Sequence, residues 1–214
     1  MDIEKLLSDK SKRVGLVVAH YDDEVFFAGG ILSKYAGNNW TLVSCFSPVK
    51  EDDERVGSCE DVVAMFDMNW IKLPFIRTKW DRRKPIFTNF CVMLNTMNIS
   101  DFMRHLIEVL ESEYGNFDVI ISHNSRGEYG NVQHALIHSI LRFYKGVIRP
   151  KVHLLSFAMS KEDILEDPDY VLELDDDLFQ KKCEAIYLYK GKTPTLMKCN
   201  IIKCKKEALW YELH

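Results

Sequence analysis

Val14-Gly15-Leu16-Val17-Val18-Ala19, running into His20-Tyr21-Asp22-Asp23-Glu24, is the stretch on which the fold turns. An uncharged run of valine, leucine, glycine and alanine reads as a strand buried on both faces, the habit of parallel sheets. Asp23 to Tyr35 then reads as a helix, with its acids where the positive end of the helix dipole favours them. The same alternation repeats along the chain. Thr41 to Phe46 is predicted as a strand, Asp52 to Met68 as a helix and Trp70 to Leu73 as a short strand. Ser100 is placed to cap a helix running to about Tyr114, with Phe102, Leu106, Val109 and Leu110 on one face. Val119 to Ser122 is a strand, Val132 to Tyr144 a helix and Val152 to Phe157 a strand, with further helices over Asp176 to Tyr189 and Thr195 to Lys205. Strands alternating with helices predict an α/β fold: a single-domain, Rossmann-like, doubly wound and mainly parallel sheet with helices on both faces. No repeat, low-complexity tract or Gly/Ser/Pro-rich linker divides residues 1–214, so one domain is expected.

Composition narrows the function classes. A formal net charge of -4 gives no electrostatic footprint for nucleic acid. The basic runs Arg82-Arg83-Lys84 and Lys203 to Lys206 are short and read as solvated surface. No apolar stretch approaches the roughly 18 residues of a membrane span, and the charged N-terminus lacks the apolar core of a signal peptide. The cysteines (Cys45, Cys59, Cys91, Cys183, Cys199, Cys204) are scattered without a C-x-x-C pair, which argues against a zinc finger or a dithiol redox site. A reduced, cytoplasmic protein is the expectation.

Ligands of parallel sheets gather at the carboxyl ends of the strands, and His20 to Glu24 stand at such an end. A helix N-terminus decorated with acids accounts for Asp23 and Glu24 but leaves the histidine and the adjacent Asp22 unexplained. A strand-to-helix turn can aim residues i and i+3 at one point, so His20 and Asp23 can share a cation, and imidazole with carboxylate suits zinc. Asp22 would then stand beside the ion without binding it, in the position of a general base. A third ligand should come from another strand-end loop. Gly127-Glu128-Tyr129-Gly130-Asn131-Val132-Gln133-His134 follows the strand at Val119 to Ser122 and carries His134 into the first turn of the next helix. His138, one turn further, reads as core or as support. The glutamate that follows the first histidine of the metalloprotease H-E-x-x-H motif is absent, with Ala135 in its place.

Taken together, Ala19-His20-Tyr21-Asp22-Asp23-Glu24 and Tyr129-Gly130-Asn131-Val132-Gln133-His134 resemble the two motifs of the LmbE-like (PIG-L) family of zinc-dependent N-deacetylases, Ala-His-Pro-Asp-Asp-Glu and Tyr-Gly-His-Pro-Asp-His. Lys182-Cys183-Glu184-Ala185-Ile186 is similar to the lysine-bearing apolar helix that closes many members. The resemblance implies zinc held by His20, Asp23 and His134, with Asp22 as general base and Tyr129 as donor to the developing oxyanion. It places Arg55 and Asp81 as candidate substrate contacts. The activity implied is hydrolysis of an N-acetyl or N-acyl group from an amino sugar, such as an N-acetylglucosamine-type moiety, free or linked to a nucleotide, lipid or glycan. Three positions depart from the pattern. Tyr21 replaces proline and is expected to loosen the turn. Asn131 replaces a histidine and can still donate to an oxyanion, though it cannot carry a proton. Gln133 replaces the aspartate that would polarise that histidine. Two alternatives stay open: a family amidase acting on another N-acyl or thiol-conjugate substrate, and a non-catalytic sugar-binding relative.

Overall fold

The computed structural model describes residues 1–48, 54–77, 85–160, 163–189 and 204–213. After a short helix α1 (Ile3–Ser8), capped by Asp2, the chain enters β1 (Arg13–Val18) and α2 (Asp23–Lys34). There follow β2 (Asn39–Ser44), α3 (Arg55–Met65), β3 (Asn69–Lys72), α4 (Ile86–Thr96) and α5 (Ile99–Glu111). Then come β4 (Val119–Ser122), the single turn α6 (Gly127–Gly130), α7 (Val132–Phe143), β5 (His153–Phe157), β6 (Tyr170–Glu173), α8 (Asp176–Leu188) and β7 (Lys206–Tyr211). The sheet is seven-stranded in the order β3-β2-β1-β4-β5-β7-β6. Its first five strands are parallel, and β7 pairs antiparallel with both β5 and β6.

Strand alternation explains the two cores. Val14, Leu16 and Val18 of β1 face one side and pack with residues of α1, α2, α3 and α8, whereas Val17 and Ala19 face the other and pack with α5 and α7. Both faces of the sheet are therefore covered, as its continuous apolar strands require. Gly15 is demanded by a close approach: a Cβ there would lie 2.6 Å from the Phe117 ring.

Most predicted elements appear within a few residues of their expected bounds. Asp52 to Met68 shortens to Arg55–Met65, with 49–53 outside the described residues. The cap of α5 is Asn98 and not Ser100: the Asn98 side chain accepts from the Asp101 N–H at 3.1 Å, which places Ser100 already inside the helix. The helix expected over Thr195 to Lys205 falls outside the described residues as far as 203. Cys204 and Lys205 are not helical, and the next residues form β7. That strand was hidden by its own charges, because Lys206 and Glu207 interrupt the apolar run and Glu207 points inward.

Glu207 is the acid of a fully buried pair, its Oε1 lying 2.7 Å from Lys182 Nζ of α8. The contact is ionic, since Nζ makes no directed hydrogen bond among the described residues. Glu207 also accepts from the Gly30 and Ile31 N–H groups of α2, at 2.9 and 2.8 Å. The glycine pair lets these elements close up: a Cβ on Gly29 would meet Lys182 at 3.0 Å, and one on Gly30 would meet Leu174 at 2.3 Å. The pair thus ties α2, which opens with Asp23 and Glu24, to α8 and β7. Removing one member of such a pair leaves a buried charge uncompensated. Lys182→Met is expected to cost about 3–5 kcal/mol in urea unfolding, part of it recovered when Glu207→Gln is added. A single variant as stable as the wild type would contradict this role.

Candidate metal and catalytic site

The site grows from the turn between β1 and α2. His20 donates its backbone N–H to Asp23 Oδ2 at 2.8 Å, which folds the turn back on itself. Asp22 takes the left-handed conformation at φ 113°, ψ -24°, a region costly for a residue with a Cβ. Glu24 holds it there: Oε2 accepts the Asp22 N–H at 3.0 Å, while Oε1 accepts the Tyr189 O–H from the end of α8. Burial pushes the Glu24 carboxyl up to about 8, against the lowering effect of the Tyr189 hydroxyl. Tyr21 does not loosen the turn. Its ring is buried edge-on against Trp70 and its hydroxyl hydrogen-bonds Ser47 Oγ at 3.1 Å, so it pins the turn to the loop after β2.

The second half comes from the loop after β4. Gly127 and Gly130 occupy φ 60° and 84°, and Glu128 between them is held at φ 55°, ψ -57°, a strained conformation for a side-chain-bearing residue. The Glu128 carboxylate over-determines it. Oε1 accepts the Asn124 N–H at 2.8 Å, and Oε2 lies 2.5 Å from His134 Nδ1 and 3.0 Å from His123 Nδ1. Burial alone would raise the Glu128 carboxyl, but the two histidines bring it down to about 2. Asn131 caps α7 by accepting the Gln133 N–H at 3.0 Å, and its side chain also hydrogen-bonds the Tyr129 phenol.

These two turns bring His20, Asp23 and His134 together, all nearly buried. His20 Nδ1 is 3.2 Å from Asp23 Oδ2 and 3.2 Å from His134 Nε2, and His134 Nε2 is 3.4 Å from Asp23 Oδ2. A tetrahedral ion with bonds of about 2.0–2.1 Å spaces its ligands about 3.3–3.4 Å apart, so the triangle has the dimensions of one face of a zinc polyhedron. Two imidazoles and a carboxylate are also the donor types zinc takes. Behind it, Glu128 backs His134 in the carboxylate–histidine arrangement that orients metal-binding imidazoles. A second grouping, His123, Glu128 and His134, is already satisfied without an ion. Ala19 N–H donates to His123 Nε2 at 2.9 Å, and His123 Nδ1 faces Glu128 Oε2 at 3.0 Å.

Electrostatics follow the same lines. Burial lowers the His20 imidazole, opposed by Asp23. Burial would also lower His134, but Asp23 and Glu128 together raise it to about 9. Asp23 is held well below the carboxylate range: burial acts upward and is outweighed by His134, His123 and His20. Burial, reinforced by the Asp23 charge, keeps the Tyr129 phenol protonated and so a hydrogen-bond donor.

Of the other sequence candidates, Asp22 lies on the turn, nearly buried, with its charge felt at Tyr129. Arg55 opens α3, half-buried, and its charge is felt at Tyr21. Asp81 lies outside the described residues. His138 supports the site, its Nδ1 lying 2.9 Å from the His123 carbonyl. Sequence reasoning missed Glu128 and His123, although Glu128 stood inside the quoted motif and His123 directly after a strand end. It also missed Arg77. This residue is aligned by its N–H to the Ser47 carbonyl at 3.0 Å, and its charge acts on His20.

No family model and no curated protein matches the chain. Solved structures do share its fold. A deacetylase of the teicoplanin biosynthesis pathway superposes with a TM-score of 0.65 at 11% identity, over 93% of this chain and 97% of its own. The N,N'-diacetylchitobiose deacetylase of Pyrococcus horikoshii gives 0.59 at 14%, over 98% and 91%. GalB, the 4-carboxy-2-hydroxymuconate hydratase of Pseudomonas putida KT2440, gives 0.54 at 15%, over 93% and 95%. At such identities the likeness is one of fold. Because that fold carries deacetylases and a hydratase alike, the site has to decide the chemistry.

Glu24 supplies a pH test of the turn. Its carboxyl sits at about 8 in the folded protein against its usual 4.5, so between these values the folded chain keeps a proton that the unfolded chain has lost. Stability therefore falls as pH rises from about 4.5 to about 8 through this group. Glu24→Gln, which can still accept from Asp22 N–H, is expected to flatten that decline and to raise the Tm at pH 8 more than at pH 5. Melting curves of both proteins at the two values check it, and equal shifts at both would contradict it.

Proposed function

We propose that the chain is a metal-dependent hydrolase that removes an N-acetyl or N-acyl group from an amino sugar, such as an N-acetylglucosamine-type moiety. The observation that carries the reading is the triangle of His20 Nδ1, Asp23 Oδ2 and His134 Nε2, with edges of 3.2–3.4 Å, beside a carboxylate, Asp22, that takes no part in it. The fold shared with deacetylases and the resemblance of both motifs to the LmbE-like family support the same reading.

His20, Asp23 and His134 would hold zinc. When bound, the ion would supply Lewis-acid polarisation of the acyl carbonyl and make water a better nucleophile at neutral pH. Asp22 takes the proton of the attacking water and returns it to the leaving amine. Tyr129, kept protonated by burial and the Asp23 charge and packed against the His134 ring at 5.4 Å, donates to the oxyanion. Asn131 serves by holding Tyr129 and capping the helix that carries His134. A second reading, a sugar-binding protein without turnover, draws on this same residue. Its side-chain oxygen is engaged with the α7 backbone, and it cannot deliver a proton as the histidine of relatives does.

Two neighbouring carboxylates separate metal binding from chemistry. Asp22→Asn is expected to keep about one zinc per chain while losing about 10²–10⁴-fold in turnover of an N-acetylglucosaminide, followed as free amine released. Asp23→Asn is expected to lose the zinc. Equal zinc loss in both variants would reverse the assignment, and a wild type that releases no amine from any N-acyl sugar would favour the binding protein.

A further inference from the structure

Gln133 is the residue that the resemblance leaves without a task, and the structure places it against a member of the triangle. It lies in the first turn of α7 at 1% exposure, with Oε1 2.9 Å from His20 Nε2. Its own Nε2 is buried and, among the described residues, has no hydrogen-bond partner. A buried amide donor left unpaired is rare and costly, and calls for a reason.

The reason lies in the two nitrogens of His20. A neutral imidazole carries one proton, so for Nδ1 to face an ion the proton must sit on Nε2 and must find an acceptor there. Gln133 Oε1 is that acceptor. A carboxylate at this position would accept in every orientation. An amide can turn over and present its N–H₂ instead. His20 Nε2 would then become the acceptor, and the proton would move to Nδ1, where Asp23 Oδ2 waits at 3.2 Å. The ion-ready arrangement leaves the Gln133 N–H₂ unpaired. The reversed one leaves its carbonyl and one N–H unpaired, one donor fewer than the ion-ready form, and an under-satisfied carbonyl is more readily tolerated than an orphaned N–H.

We propose that Gln133 is a positioning residue that sets the metal affinity of the His20–Asp23–His134 site: its carbonyl selects the Nε2–H form of His20, and the reversibility of its amide makes that selection weaker than a carboxylate would. The inference rests on the metal-site reading above. Turning the amide over and moving the His20 proton to Nδ1 competes with ion binding. The consequence is a site that takes up zinc less tightly than one backed by an acid.

The test is zinc affinity by chelator competition for wild type, Gln133→Met and Gln133→Glu at one pH, with ¹⁵N-histidine NMR of the wild type. Gln133→Met, which fills the space but accepts nothing, is expected to weaken zinc about 10–100-fold, the usual effect of losing an outer partner of a metal-binding histidine. Gln133→Glu is expected to bind at least as tightly as wild type. The His20 proton is expected on Nε2 in the zinc-loaded protein. A Met variant with wild-type affinity would overturn the proposal. So would a zinc-loaded wild type with the His20 proton on Nδ1, a result available even if the Met variant does not fold. A wild type that binds no zinc at all would instead defeat the metal-site reading, and the first titration shows it.

Discussion

Asp23 is a carboxylate at 3% exposure, and the site is arranged around the need to keep its charge inside. One oxygen, Oδ2, accepts the His20 N–H and stands within 3.5 Å of ring nitrogens from His20, His123 and His134. Burying a carboxylate without partners is strongly unfavourable, so the three rings must be delivered to it from separate parts of the chain. Each is secured from behind: His134 and His123 by Glu128, His20 by Gln133. Glu128 in turn accepts the Asn124 N–H, and Asn124 Nδ2 donates to the Phe157 and Met159 carbonyls at 2.9 and 3.0 Å. The chain of bonds therefore runs from one carboxylate through the ends of β1, β4 and β5.

That convergence depends on the strand order. β1 lies between β2 and β4, so the chain leaves β1 toward one side and returns on the other, and the loops after β1 and β4 part above a common gap. This is the place where open parallel sheets hold ligands. The His20 turn and the Glu128 turn are the two sides of that gap. Both carry residues at positive φ that ordinary loops avoid, Asp22 and Glu128, and both are pinned by acids whose hydrogen bonds are internal. Strain is stored at the proposed site, and the buried network holds it there.

The parts that could be read from sequence were those whose identity is local. The valine-rich β1 and the Val119-Ile120-Ile121 run of β4 announce buried strands. The i, i+3 spacing of His20 and Asp23 survives any small error in the helix boundary. Elements set by tertiary contact were not legible. β7 looks charged because Glu207 has its partner, Lys182, on a helix far away in sequence. α4 opens Ile-Phe-Thr-Asn-Phe, which suits a strand as well as a helix, and its start at Pro85 is visible only in three dimensions. Ser100 and Asn98 both suit a cap, and only the hydrogen bond to Asp101 N–H decides between them. Glu128 and His123, and the contact of Gln133 with His20, escaped for the same reason: each stands behind another residue, and sequence shows residue types without showing what stands behind them.

In the proposed centre two imidazole nitrogens and one carboxylate oxygen converge on a single zinc ion. X-ray absorption at the zinc edge, on protein loaded with one equivalent, tests it most directly. The expected result is a shell of nitrogen and oxygen neighbours at about 2.0–2.1 Å with the outer scattering of two imidazole rings, the ring contribution halved in His134→Ala. Sulfur neighbours at about 2.3 Å, or an oxygen shell without imidazole scattering, would contradict it.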